Sequence, residues 1–121
     1  MSDTIAHKIL QLSEKLGALQ YGDFTLSSGA KSTYYFDGRI ISLNPEGSYW
    51  LGEAFLEAIQ GTDIVAVGGP ATAAIPIVTS VSLVSYIKGS PINSFFVRPE
   101  TKGHGTNKQI EGSIKPGSKV M

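Results

Sequence analysis

The chain has no cysteine, which excludes disulfide bridges, thiolate nucleophiles and cysteine-based metal sites from its chemistry. It has no net charge either: ten Lys and Arg balance ten Asp and Glu. A molecule of zero formal charge has no overall field to draw it to nucleic acid or to a membrane surface. No apolar run follows a basic start, so a signal peptide is not expected. The most apolar stretch, Ala73 to Ile87, contains Pro76 and four Ser/Thr and is shorter than the ~20 residues of a bilayer span. It reads as a core helix, and a cytoplasmic protein is the expectation. Histidine is scarce. His7 and His104 are the two, and no His/Asp/Glu cluster has metal-ligand spacing. No Ser-His-Asp arrangement and no internal repeat is visible.

What is present is an ordinary globular composition, 41% hydrophobic and 17% charged over 121 residues, which suits one domain with a real core. The charge is unevenly spread. Residues 1–87 carry four Lys/Arg against eight Asp/Glu, whereas 88–121 carry six against two, so any anionic ligand would be drawn to the second segment.

Hydrophobic period locates the elements. Ile5, Ile9, Leu12 and Leu16 form one stripe of a helix over 3–16, which Gly17 can end. Phe24 to Ser28 and Thr33 to Asp37 read as two strands joined across 29–32. Asp37 and Arg39 would then lie on one side of an extended segment. Asn44-Pro45-Glu46 is a helix start, and the helix continues to about residue 60, with Glu53 and Glu57 as surface charges like Asp23. Ile64 to Val67 fits a strand buried on both faces. A helix over 72–88 and a strand over 93–97 complete a βαβ unit. Residues 109–111 and 118–121 suggest two further short strands.

Two segments carry chemistry. Gly68-Gly69-Pro70-Ala71-Thr72, between strand and helix, fits an anion cradle and a plain tight turn about equally. Arg98-Pro99-Glu100-Thr101-Lys102-Gly103-His104-Gly105-Thr106-Asn107-Lys108 places three permanent cations and a histidine at the mouth of a strand, where open α/β sheets bind ligands. With two glycines and few apolar anchors, residues 99–108 are expected to be mobile without ligand. Pyrophosphate is the expected ligand. Tyr34, Tyr35 and Phe36 suit stacking on a flat ring, though such a cluster in a strand belongs more often to a core.

Phe24-Thr25-Leu26-Ser27-Ser28-Gly29 and Lys31-Ser32-Thr33-Tyr34-Tyr35-Phe36-Asp37 with Arg39 resemble the N-terminal signature of orotate phosphoribosyltransferases. Val67 to Ala71 with Ala74 to Ile77 resembles their first core strand and turn. Phe96 to Thr106 with Ile110-Glu111-Gly112 resembles their flexible catalytic loop. The resemblance implies an α/β, type I phosphoribosyltransferase-like parallel sheet with helices, an N-terminal hood over about 1–45 and a core over about 46–121. It implies transfer of ribose 5-phosphate from phosphoribosyl pyrophosphate to orotate, giving orotidine 5′-phosphate and pyrophosphate, with Mg2+ on the pyrophosphate and a homodimer whose loop reaches into the partner's site. By matching positions, Arg98, Lys102 and His104 would contact the pyrophosphate, Lys102 and His104 as catalytic groups, while Tyr35 and Phe36 would lie near the orotate ring. Where some members carry lysine, this chain has Ser27, Ala73 and Pro99. Family members continue past Met121 into two adjacent acids and a Thr/Gly-rich loop for the ribose 5-phosphate. The 121 residues are therefore expected to be a partial domain, inactive alone. The other reading is a non-catalytic module that binds an anion or a partner chain. Nucleic-acid binding is not expected, because the cations are few and no aromatics interleave them.

Overall fold

The computed structural model describes residues 3–100 and 108–121. Within them run α1 (Asp3–Leu16), β1 (Leu19–Thr25), β2 (Lys31–Phe36), α2 (Gly38–Ser42), α3 (Pro45–Ile59), β3 (Ala66–Pro70), α4 (Ala74–Ile87), β4 (Asn93–Val97) and β5 (Ile110–Gly112). The expected α/β class and βαβ unit are present.

The first part is a helix, a two-stranded ribbon and a short second helix. The α1 stripe buries Leu12, which joins Ala18 and Ile41 in a small core flanked by Leu16 and Leu51. β1 and β2 are antiparallel, from Leu19 opposite Phe36 to Thr25 opposite Lys31. Pairing thus starts earlier than Phe24, and residues 26–28 leave the strand. The turn explains both. Leu26 N–H donates to the Ala30 carbonyl and Gly29 N–H to that of Leu26, each at 2.8 Å, and Gly29 takes φ 88°, a conformation that suits glycine. The Asp37–Arg39 expectation is also corrected. The Asp37 carboxylate caps α2 by accepting from Arg39 N–H at 3.1 Å, and it pairs with Arg39 Nε at 3.3 Å. A capping side chain bends the backbone into a helix that the alternating pattern did not show.

The larger core lies between the helices and the sheet: Ile59, Val67, Val78 and Val81, packed by Phe55, Leu56, Ile64 and Ile92. α3 starts as its sequence predicts, with the Asn44 side chain accepting from Gly47 N–H and Pro45 in the first turn. α4 lies against it. Ser80 Oγ donates to the Ser48 carbonyl, and a Cβ on Gly52 would stand 2.7 Å from Val84 Cγ2, so glycine sets the helix separation. α4 is buried on one side only. Val78, Val81 and Val84 face inward, while Leu83, Tyr86 and Ile87 are 60%, 73% and 70% exposed. A helix apolar all round cannot show by its own pattern which side meets neighbours. Glu53 is not a surface charge: its side chain is 13% exposed and pairs with Lys88 Nζ at 3.1 Å.

Ser85, 1% exposed, ties α4 to the strand after it. Its hydroxyl accepts from Ile92 N–H at 2.9 Å and donates to the Ser82 carbonyl at 2.7 Å. Ser85→Ala strands a buried amide, so a loss of about 1–3 kcal/mol is expected. Urea unfolding checks this: a midpoint equal to wild type would contradict it.

The main sheet has the order β3-β4-β5, β3 and β4 parallel, β4 and β5 antiparallel. Val120 makes a parallel bridge to Ala66, where the sequence suggested a further strand. β3 begins at Ala66 and runs through Gly68, Gly69 and Pro70, two residues later than expected. Both glycines are strand residues, paired with Phe95 and Phe96; a Cβ on Gly68 would lie 2.2 Å from the Phe95 ring, and one on Gly69 2.6 Å from Ala74 Cβ.

Candidate functional site

The parallel pairing of β3 and β4 brings the two chemistry-bearing segments to one end of the sheet. Pro70 lies opposite Val97, and Ala71 N–H donates to the Val97 carbonyl at 2.8 Å. The turn after β3 and Arg98 after β4 are therefore neighbours at the C-terminal ends of the strands, the position where such sheets bind ligands. α4 opens from the same turn, and no side chain caps its start at Ala73. Its first amides and their dipole favour an anion.

Arg98 is held rather than loose. Its backbone N–H donates to the Gln109 carbonyl at 2.7 Å, and Gln109 Nε2 donates to the Arg98 carbonyl at 3.3 Å. Its Nε lies 3.3 Å from Glu111 Oε1, and its guanidinium carbon is 5.7 Å from the centre of the Phe96 ring. These contacts close the base of the loop, where β4 and β5 pair from Val97–Ile110 to Phe95–Gly112. Lys102 and His104 lie outside the described residues, as does most of the segment expected to be mobile.

The aromatic residues of β2 are not core. Tyr35 and Phe36 are 45% and 47% exposed, and Tyr34 is exposed too. The ribbon is a separate two-stranded sheet, so there is no second layer to bury them. As successive strand residues, Tyr35 and Phe36 face opposite sides of the ribbon. Tyr35 packs against Phe24 with ring centres 5.8 Å apart. A cavity of ≈ 400 Å³ lies on this ribbon between Asp23, Phe24, Lys31 and Thr33. Another of ≈ 450 Å³ lies among Glu53, Leu56, Gln60, Lys88 and Ile92. Arg98, its side chain 36% exposed, lines neither.

An orotate phosphoribosyltransferase of Nostoc sp. is 43% identical to this chain over 119 residues, 98% of the chain and 57% of the relative. The chain is similar over nearly its whole length to orotate phosphoribosyltransferases. It spans a little over half the length of that relative. Among solved structures, the Mycobacterium tuberculosis orotate phosphoribosyltransferase in complex with Fe(III) dicitrate superposes with a TM-score of 0.75 at 33% identity, over 96% of this chain and 64% of that one. The same enzyme in complex with 5-phospho-α-D-ribosyl 1-diphosphate gives a TM-score of 0.68 at 30% identity, over 96% and 61%. No family model matches the chain. The type I phosphoribosyltransferase fold expected from the motifs is thus the fold observed.

Glu111 had no expected role as a side chain. The signal was nevertheless available, because antiparallel pairing of residues 110–112 with 95–97 places Glu111 across from Phe96 and beside Arg98. Only the register, which a three-residue strand does not reveal, makes that visible.

Proposed function

We propose that this chain belongs to an enzyme that transfers ribose 5-phosphate from phosphoribosyl pyrophosphate to orotate, giving orotidine 5′-phosphate and pyrophosphate in pyrimidine synthesis. The observation that carries the reading is the 43% identity to a named orotate phosphoribosyltransferase over 98% of the chain. The solved relative bound to 5-phospho-α-D-ribosyl 1-diphosphate and the cationic end of the β3–β4 pair support it.

The chemistry suits those groups. As the anomeric C–O bond breaks, positive charge develops on the ribose and negative charge on the departing pyrophosphate. Fixed cations directed at that charge lower the barrier. Arg98 presents a planar fork matched to phosphate oxygens, and Lys102 a compact charge. His104 is an imidazole able to give a proton or hydrogen bond to the leaving group near neutral pH. Tyr35 and Phe36 are exposed on opposite sides of the ribbon, so one of the two, not both, offers its face to the orotate ring. In this reading residues 1–45 are the hood and 46–121 the core. The working form is a homodimer whose loop crosses to the partner's site, and the location is cytoplasmic. No helix among the described residues is long and apolar enough to cross a membrane.

Magnesium comes with the substrate in this reading. Among the described residues no three His, Asp or Glu side chains converge, and Glu111 is engaged by Arg98. In this reading the ion rides on phosphate oxygens.

The test is to incubate the full gene product with orotate, phosphoribosyl pyrophosphate and magnesium. Orotate is expected to disappear as pyrophosphate appears, in equal amounts. Pyrophosphate binding without turnover would point instead to the non-catalytic module, and neither binding nor turnover would refute the proposal.

A further inference from the structure

We propose that Glu111 is a positioning residue that aims Arg98 at its anion. This rests on the reading that Arg98 contacts pyrophosphate. Phe96 and Glu111 are directly opposite each other on β4 and β5, so their side chains share one face of the sheet. Arg98, two residues beyond Phe96, continues the same face. The guanidinium is therefore held at two places. Its plane lies near the Phe96 ring, 5.7 Å from the ring centre, and its inner nitrogen, Nε, meets the Glu111 carboxylate at 3.3 Å.

A guanidinium grips a phosphate side-on, through Nε and one terminal nitrogen, or end-on, through the two terminal nitrogens. With Nε engaged, the two terminal nitrogens remain, and among the described residues no other side chain takes them. They form the edge that binds two phosphate oxygens side by side. The ion pair contributes little to stability, because both side chains are a quarter to a third exposed and such pairs are screened by water. Its effect is on orientation. A free arginine must give up its rotamer freedom when it binds, whereas this one has given it up already. Ordering such a side chain weakens binding by about two- to tenfold, and Glu111 removes that loss. The carboxylate also brings a negative charge near the anion, so the sign of the net effect is measurable.

Calorimetric titration of the full gene product with magnesium pyrophosphate tests this. Glu111→Ala is expected to weaken binding about two- to tenfold. Glu111→Gln, which keeps an oxygen acceptor for Nε, should stay within about twofold of wild type. In an Arg98→Ala background, Glu111→Ala should cause no further loss, since its favourable role is exerted through Arg98. Should the alanine variant not fold, Glu111→Thr supplies a residue suited to a strand. Binding by Glu111→Ala as tight as wild type or tighter overturns the proposal. So does an equal loss with and without Arg98, which would mark a purely structural role. Unchanged binding by Arg98→Ala alone would remove the underlying reading of Arg98, an outcome distinct from both.

Discussion

Replacing Lys102 by alanine is expected to slow phosphoribosyl transfer by about 10²–10³-fold, the loss seen when one preorganised group is taken from a developing oxyanion. The leaving pyrophosphate gains negative charge only as the bond breaks, so a cation aimed at it stabilises the transition state more than the bound substrate. The fall should therefore appear mainly in kcat, with a smaller rise in KM for phosphoribosyl pyrophosphate. Lys115, exposed at the far end of the basic segment, provides the control. Its removal takes the same formal charge from the molecule. Steady-state kinetics of the two variants in the full gene product decide the matter. A Lys102→Ala enzyme within threefold of wild type would refute a role for this cation, and an equal fall in Lys115→Ala would show that net charge, not a placed cation, does the work.

The second large effect concerns folding. Gly47→Ala is expected to destabilise the protein by about 3 kcal/mol, at the upper end of the usual cost of overpacking. A Cβ on Gly47 would stand 2.2 Å from the Ile41 carbonyl oxygen and 2.8 Å from Ile41 Cγ2. Neither can retreat easily. Ile41 is 1% exposed and belongs to the core with Leu12 and Ala18, and its carbonyl accepts from Asn44 N–H at 3.1 Å. Gly47 is itself fixed, since its N–H donates to Asn44 Oδ1 at 2.9 Å. The thermal midpoint should fall by roughly 10 °C in a domain of this size. Gly61→Ala gives the comparison: there φ is 78° but no atom lies within 4 Å of the added Cβ, so only backbone strain of about 1 kcal/mol is expected. Melting curves that place Gly47→Ala at or above Gly61→Ala would contradict the packing account.

Local pattern was enough for much of this protein. The stripe of α1, the Asn44-Pro45 start of α3, the β4 run and the parallel βαβ unit are all written in residue type and spacing, because a helix or strand period and a cap depend on neighbours within a few positions. Motif order likewise carried the family resemblance, and it marked Arg98 as the cation at the strand mouth. Other features needed the assembled chain. At Gly68 in β3 the Phe95 ring, almost thirty residues on, takes the space of a side chain. Tyr34, Tyr35 and Phe36 are exposed on a two-stranded ribbon that no other strand among the described residues joins, while Glu53 is half-buried and paired with Lys88 of another element. Arg98 acquires its direction from Glu111 through a strand register that three residues cannot announce. In each of these the deciding partner is distant in sequence or on another element, and composition records what a side chain is without recording what will stand opposite it.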